Sequence, residues 1–206
     1  GETAEVTLAY TVSDGNGGTA ASTVAITVTG TNDGPTAVAD VATTDEDNAI
    51  AIDVLANDSD PDASDTLTVT GVSVTSGLGA ASVSGDQVVY DPGAYGYLAA
   101  GETAEVTLAY TVSDGNGGTT ASTVAITVTG TNDGPVAVAD VAATDEDNSI
   151  AIDVLANDTD PDTNDTLTVE SVAVTSGLGA VSISGDQVVY DPSAYGYLAA
   201  GETAEV

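Results

Sequence analysis

The stretch EVTLAYTVSDGNGGTTASTVAITVT, residues 105–129, decides the fold. Val106, Leu108, Tyr110 and Val112 alternate with polar or small residues, Asp114-Gly115-Asn116-Gly117-Gly118 interrupts them, and Val124, Ile126 and Val128 resume the alternation. An apolar residue at every second place turns one face of an extended strand toward a core. Glycine and asparagine supply the positive-φ conformations that a tight turn needs. The stretch therefore reads as a β-hairpin with one apolar face. It stands a second time at residues 5–29, with Ala20 in place of Thr120.

The repetition extends to the whole chain. Aligning each residue with the one 100 places later gives 106 pairs, of which 13 differ. A period of 100 residues is too long for a solenoid coil and suits an independent sandwich, so the sequence predicts beads on a string. Residues 1–30 are the last two strands of a preceding repeat, 31–130 one complete repeat, and 131–206 the first five strands and the start of the sixth of the next. Within the complete repeat, strands are predicted near 36–43, 49–55, 66–75, 80–84, 87–91, 105–113 and 119–129. Seven short strands at this spacing predict an all-β fold of tandem immunoglobulin-like sandwiches joined end to end. The alternation slips by one residue at Gly71, between Val69 and Val72, which predicts a bulge. Gly30 to Pro35 and Gly130 to Pro135 break the pattern and serve as linkers. Tyr95 and Tyr97 lie in the longer connection before the sixth strand and are expected to fold against the sandwich corner rather than form a ligand platform.

The terminal segments are complementary: residues 1–30 hold what 136–206 lacks. The chain opens and closes on the same hexapeptide, GETAEV, and reads as a window of a longer repetitive chain. Two arrangements fit: the natural chain continues into further repeats, or separate chains complete each other's sandwiches by donated strands.

Composition sets the chemistry. The chain has 206 residues, 33 acidic side chains and no lysine, arginine, histidine or cysteine. Without cationic side chains it cannot neutralise nucleic-acid phosphates or anchor to an anionic membrane, so nucleic-acid binding and polybasic membrane attachment are excluded. Histidine bases, thiol nucleophiles, thiolate zinc sites, disulfides and lysine Schiff bases are excluded in the same way. The apolar fraction of 42% falls in strand-like patterns, unlike that of a disordered acidic chain. No apolar run is long enough to span a membrane as a helix. A net charge of -33 with no internal counter-charge leaves repulsion to be relieved by solvent, salt or bound cations. A core of Val, Ile, Leu, Ala and Tyr buries modest area at roughly 25 cal/mol per Å², so stability without metal is expected to be marginal.

The acids also cluster. Asn57-Asp58-Ser59-Asp60-Pro61-Asp62-Ala63-Ser64-Asp65 packs four aspartates into eight residues, and Asn157-Asp158-Thr159-Asp160-Pro161-Asp162-Thr163-Asn164-Asp165 repeats it. Carboxylates this close repel unless they are hydrated or share a cation, and hard oxygen ligands in groups of six to eight suit calcium better than magnesium. In a seven-strand sandwich the loops after the second and sixth strands lie at one end with the entering linker. That gathers Asn32, Asp33, Asp58, Asp60, Asp62, Asp65, Asp114 and Asn116. At the other end, Asp45, Glu46, Asp47, Asn48 and Glu102 face Asn132, Asp133 and the next loop, Asp158, Asp160, Asp162 and Asp165. Glu2 holds the place of Glu102 in the preceding repeat. Two other calcium readings fail on spacing. An EF-hand starting at Asp58 would have Ala63 at position 6 and Val69 at position 12, where glycine and glutamate are needed. A nonapeptide β-roll would repeat its glycines every nine residues.

The run Asn32-Asp33-Gly34-Pro35, Asp45-Glu46-Asp47, Val54 to Asp62, Leu98 to Glu102 and Tyr110 to Gly115, closing on Asn132-Asp133-Gly134-Pro135, resembles the VCBS and cadherin-like tandem repeats of giant bacterial surface proteins and adhesins, the extender type found in RTX adhesins. The resemblance covers essentially the whole chain. It implies several Ca2+ ions at each junction between repeats. Asn32, Asp33, Asp58, Asp60 and Asp114 match one junction, and Glu46, Glu102, Asn132, Asp133, Asp158 and Asp160 the other. The linker departs from the cadherin pattern in having Gly34 where a second asparagine stands, and the Arg-containing acidic motif is absent, which leaves ion number and ligand set open.

Three function classes follow. The first is structural: calcium-rigidified spacer repeats of a long extracellular stalk or surface filament, each adding on the order of 40 Å at about 3.3 Å per strand residue. Its partners are neighbouring repeats of the same chain, with other copies in a filament as a variant. The second is an adhesive module that binds glycan or a like molecule, assembling laterally or by strand complementation. An enzyme is the weakest reading, because paired carboxylates need a cleft and separated acid and base roles. Millimolar calcium and the lack of cysteine point to an extracellular setting, at a bacterial surface or in a secreted matrix.

Overall fold

The computed structural model describes residues 1–204. Its strands are β1 (Thr3–Ser13), β2 (Thr19–Thr29), β3 (Asp40–Asp45), β4 (Ile50–Ile52), β5 (Thr68–Ser76), β6 (Ala80–Ser84), β7 (Gln87–Asp91), β8 (Thr103–Ser113), β9 (Thr119–Thr129), β10 (Ile150–Ile152), β11 (Ala180–Ser184) and β12 (Gln187–Asp191). The helical elements are two single 3-10 turns, Gly93–Tyr95 and Ser193–Tyr195. No helix among the described residues is long and apolar enough to cross a membrane.

The complete repeat is a seven-strand sandwich of two sheets, one ordered β3-β9-β8-β5 and the other β4-β7-β6. Alternation builds its core. Val106, Leu108, Tyr110 and Val112 of β8 and Val124, Ile126 and Val128 of β9 are buried on one face of their hairpin. Ile52, Val54, Val69, Val88 and Tyr90 are buried with them. The Tyr110 hydroxyl closes the core 2.9 Å from Asp40 Oδ2, 3.0 Å from the Val38 carbonyl and 3.3 Å from that of Val54.

The predicted strands at 80–91 and 119–129 form as expected, and the register of β5 against β8 slips between Val69 and Gly71, where the bulge was predicted. A second slip, between Val74 and Ser76, carried no signal in the alternation. The first strand begins later than predicted, at Asp40. Residues 36–39 are held elsewhere: Thr36 exchanges both backbone bonds with Ser59, and the Val38 amide donates to Asp58 Oδ1 at 2.8 Å.

Of the five strands expected in 136–206, three form. β10, β12 and β11 make a sheet in the register of β4, β7 and β6. Residues 140–145 and 168–176 are no strands, although the same positions of the complete repeat are β3 and β5. The reason is pairing: β3 and β5 flank the β9-β8 hairpin, and a strand without a ladder partner is not a strand. The expected start of a sixth strand falls partly on residues 205–206, outside the described residues, and Thr203 and Ala204 are not in a strand.

The chain forms two compact units. One comprises residues 1–42, 50–91 and 105–126, and the other residues 43–49, 92–104 and 127–206. The first holds most of the sandwich core together with the β1-β2 hairpin. The second holds Tyr95, Leu98 and Val128, the second linker and the β10-β12-β11 sheet.

Candidate metal centre

In the first unit the aspartate loop is shaped by its own side chains. Asp58 Oδ1 takes the Val38 amide, and Asp60 Oδ1 takes the Asp62 amide at 2.8 Å. The Asp65 amide donates to the Asp62 carbonyl at 2.9 Å, closing the turn that Pro61 initiates. Oxygens of Asp60, Asp62 and Asp65 thereby come within 4.8 Å of one another. The loop is tied to its linker by the Asp33 amide, which donates to Asp62 Oδ2 at 2.8 Å. Asn32 Nδ2 donates to Asp114 Oδ2 at 2.9 Å. That bond, with the Asn116 and Gly118 amides, holds the Asp114 carboxyl below its ordinary range despite an opposing effect of burial.

The second unit repeats this geometry and adds a member. Asp160 Oδ1 takes the Asp162 amide, Asp162 Oδ2 takes the Asp133 amide, each at 3.0 Å, and Asp158 Oδ1 takes the Val138 amide at 2.7 Å. Asp160, Asp162 and Asp165 form one oxygen group, and Glu46, Asp133 and Asp162 form another within the same 4.8 Å limit. Glu46 reaches it because its amide is pinned to the Thr129 carbonyl at the end of β9, while Glu46 Oε1 accepts the Thr131 amide at 2.8 Å. Glu46 and Asp162 are each only 1% exposed. Their other oxygens, Glu46 Oε2 and Asp162 Oδ1, are buried without a hydrogen-bond partner, as are the Oδ2 atoms of Asp58, Asp60 and Asp65.

Unpartnered carboxylate oxygens are costly in a protein interior, and a buried acid ordinarily has a cation beside it. This chain has no Lys, Arg or His to provide one. Three groups of hard oxygen donors, four of whose oxygens are buried and unpaired, with that of Asp58 a fifth in the same loop as Asp60 and Asp65, fit a divalent cation of the calcium type by donor chemistry.

The remaining candidates are engaged differently. Glu102 Oε2 accepts the Ala99 amide at 3.0 Å and its Oε1 accepts from Asn164, so Glu102 braces the turn at 99–102 outside the oxygen groups. Asp47 Oδ2 takes the Thr131 hydroxyl at 2.8 Å. Asn132, like Asn32, donates to the carbonyl of the following aspartate. Glu2 is exposed, its backbone carbonyl taken by the Gly30 amide at 2.8 Å. Asp45 and Asn48 bond each other in a local turn. Tyr95 is buried in its 3-10 turn whereas Tyr97 is 39% exposed, so the two do not present a paired platform. Thr131, which holds Glu46 and Asp47 through its amide and hydroxyl, was missed, because a threonine in a Gly-Asn-Asp-Pro linker carries no ligand signature in the sequence.

The sequence profile of bacterial Ig domains matches residues 32–127 and again 132–202. The chain belongs to the bacterial Ig domain family. No curated protein matches it. Among solved structures, this bacterial Ig chain is similar to a protocadherin gammaB7 EC3-6 cis-dimer, at 14% identity over 98% of this chain and 52% of the other, with a TM-score of 0.39. It is also similar to a nucleoside hydrolase-related hypothetical protein from Saccharophagus degradans that is associated with carbohydrate metabolism, at 16% identity over 48% of this chain and 26% of that one, with a TM-score of 0.33. The chain thus spans about half and about a quarter of the lengths of these two proteins.

Proposed function

We propose that this chain is a calcium-stiffened spacer: bacterial Ig repeats in a long stalk or surface filament outside the cell, of the VCBS or cadherin-like type, each linker made rigid by shared ligation. The observation that carries the reading is the group Glu46, Asp133 and Asp162. It draws one acid from a repeat, one from the linker and one from the loop of the next repeat, and two of the three are buried with an unpartnered oxygen. An ion there would replace repulsion by shared coordination and fix the linker against both sequences it joins. Extracellular modules commonly bind calcium at roughly 10⁻⁴ to 10⁻³ M, so such a linker would respond to the calcium of its surroundings. The chain's own part is to hold the donors: Thr131 orients Glu46, the Asp133 amide orients Asp162, and the Asp162 amide orients Asp160.

The test is thermal melting and small-angle scattering of the chain with calcium and with a chelator. The reading expects a lower melting temperature and a broader distribution of dimensions on chelation. Identical melts and identical scattering in the two conditions would end it.

A further inference from the structure

The two aspartate loops close the same turn and differ at its crest. The Asp65 amide donates to the Asp62 carbonyl at 2.9 Å and the Asp165 amide to the Asp162 carbonyl at 3.1 Å, so residues 63–64 and 163–164 are the central pair of each turn. One loop has Ala63-Ser64 there and the other Thr163-Asn164, two of the three differences between residues 56–65 and 156–165. The Ser64 hydroxyl is turned inward, to Asp65 Oδ1 at 3.3 Å. Thr163 and Asn164 instead reach the repeat before them. The Thr163 amide and hydroxyl both donate to the Tyr97 carbonyl, at 3.2 and 3.3 Å, and Asn164 Nδ2 donates to Glu102 Oε1.

Both acceptors are fixed points. The Tyr95 amide donates to the Pro92 carbonyl and the Leu98 amide to the Tyr95 carbonyl, each at 2.9 Å, and Tyr95 and Leu98 are buried, so the Tyr97 carbonyl rides on an anchored turn. Glu102 Oε2 accepts the Ala99 amide, and the Gly101 amide and Glu102 carbonyl bond Gly130 at 3.0 and 2.8 Å. The linker by itself leaves a hinge. Thr131 is held by Glu46 and Asp47, Val136 exchanges both backbone bonds with Thr159, and between them a Cβ at Gly134 would meet nothing within 4 Å. A body joined through one short segment can swing about it, and a second attachment through residues outside that segment removes the swing.

We infer that Thr163 and Asn164 form a latch that needs no metal: it docks the crest of the aspartate loop onto the 97–102 turn of the repeat before it and fixes the angle of the joint. Glu102, which the family resemblance marks as a metal ligand, is the acceptor of the latch. Asn164 suits that place, because a neutral amide donates to a carboxylate where an acid would repel it. The strength of a joint is then written in the two crest residues. A loop with Ala63-Ser64 keeps the backbone donor but has no threonine hydroxyl and no side-chain amide to offer. Repeats that are otherwise nearly identical therefore differ in how firmly each is fastened to the one before it. The inference goes beyond the spacer reading and stands without calcium: chelation loosens a latched joint without freeing it.

The chain has no cysteine of its own, so Asp86→Cys and Asp186→Cys, at exposed turns of the β6-β7 and β11-β12 hairpins, place one spin label on each side of the joint. Pulsed dipolar spectroscopy with a chelator, at about 0.15 M salt to screen the acids, measures the distribution of distances between them. The latch expects a narrow, docked component to dominate in the labelled chain. Thr163→Ala together with Asn164→Ser removes two side-chain hydrogen bonds and leaves the crest residues that close the same turn at 62–65, so the loop still folds. The ratio of docked to broad component is expected to fall at least about tenfold. Asn164→Asp, which sets a carboxylate against Glu102, is expected to open the joint as well. A double variant or an Asn164→Asp chain that keeps the narrow component in chelator, or a labelled chain already broad there, would overturn the latch. Calcium is a separate arm. A labelled chain that is narrow with and without calcium, and whose double variant is broad without it, upholds the latch and ends the spacer reading. A labelled chain that broadens on chelation as far as its double variant does upholds the spacer reading and ends the latch.

Discussion

Glu46 Oε1 accepts the amide of Thr131 at 2.8 Å, and this one bond turns the other oxygen, Oε2, into a buried position with no partner. Glu46→Gln keeps the size and the bonded oxygen while removing the charge. The consequence depends on calcium. With the ion, a ligand is weakened, and the stabilisation it confers, about 2.7 kcal/mol at a hundred times Kd, shrinks. Without the ion, one of the facing charges is gone, and melting is expected to rise by about 4–8 °C, the equivalent of about 1 kcal/mol in a domain of this size. Melting curves of both forms with and without chelator check the reversal of sign. A variant that is less stable in both conditions would mean that Glu46 serves packing alone.

Asp162 belongs to two oxygen groups and is buried, whereas Asp62 belongs to one and is half-buried, although the two loops differ only at positions 59, 63 and 64 against 159, 163 and 164. Asp162→Asn is therefore expected to lower the number or affinity of bound calcium ions more than Asp62→Asn, since ligand charge sets affinity in such sites. Calorimetric titration of the two variants measures this. Equal losses would show that the burial of Asp162 has no bearing on binding.

Much of this was legible in the residues, for physical reasons that differ from element to element. The β8-β9 hairpin could be read because its apolar face, turn glycines and Asp114 all point to one structure. The Asp60, Asp62 and Asp65 group could be read because an Asx turn at a proline is local. The late start of β3 could not, since it is decided by Thr36 pairing with Ser59 more than twenty residues away. Nor could the lost strands at 140–145 and 168–176, because they keep the apolar positions of β3 and β5, differing only at 143, 170, 171 and 173, and a missing ladder partner leaves no mark in the segment itself. The burial of Glu46 depends on Thr129 and Thr131, more than eighty residues on, whereas Glu102 shows the same acid type used for a turn.

Tyr110 links the core to pH. Burial, with the nearby Asp40 carboxylate, raises its hydroxyl well above the ordinary 10.0, and Asp40 is raised above 3.8, chiefly by burial and against the Tyr110 bond. The folded state thus holds the tyrosine proton more tightly than the unfolded chain does. Its stabilising contribution is whole below about pH 10 and is lost as pH rises toward the folded value. Asp40 acts in the same direction in acid: its contribution is present below about pH 4 and lost as pH rises through its raised value. Tyr110→Phe is expected to cost about 1–3 kcal/mol at neutral pH by leaving buried acceptors unbonded. It should also remove part of the alkaline destabilisation. Melting temperatures of both proteins from pH 7 to 11 would show their curves converging, and parallel curves would count against the assignment.

Two glycines with positive φ separate backbone strain from collision. Gly85, at φ 61°, turns the β6-β7 hairpin, and a Cβ there would meet nothing within 4 Å. Gly85→Ala should therefore cost only the left-handed conformation, about 1–2 kcal/mol. Gly79, at φ 98°, lies before β6, where the Tyr90 hydroxyl is fixed 2.7 Å from the Leu78 carbonyl. A Cβ at Gly79 would stand 2.5 Å from the Asp91 carbonyl oxygen and 2.6 Å from the Tyr90 hydroxyl, and neither can retreat, since Asp91 pairs with Ala80 and Tyr90 is fully buried. Gly79→Ala is expected to cost at least about 3 kcal/mol, adding overpacking and a displaced hydrogen bond to the same backbone strain. Denaturant melts of the two variants decide it: equal midpoints would mean that the Tyr90 pocket yields, and that the β4-β7-β6 sheet is not anchored through Leu78.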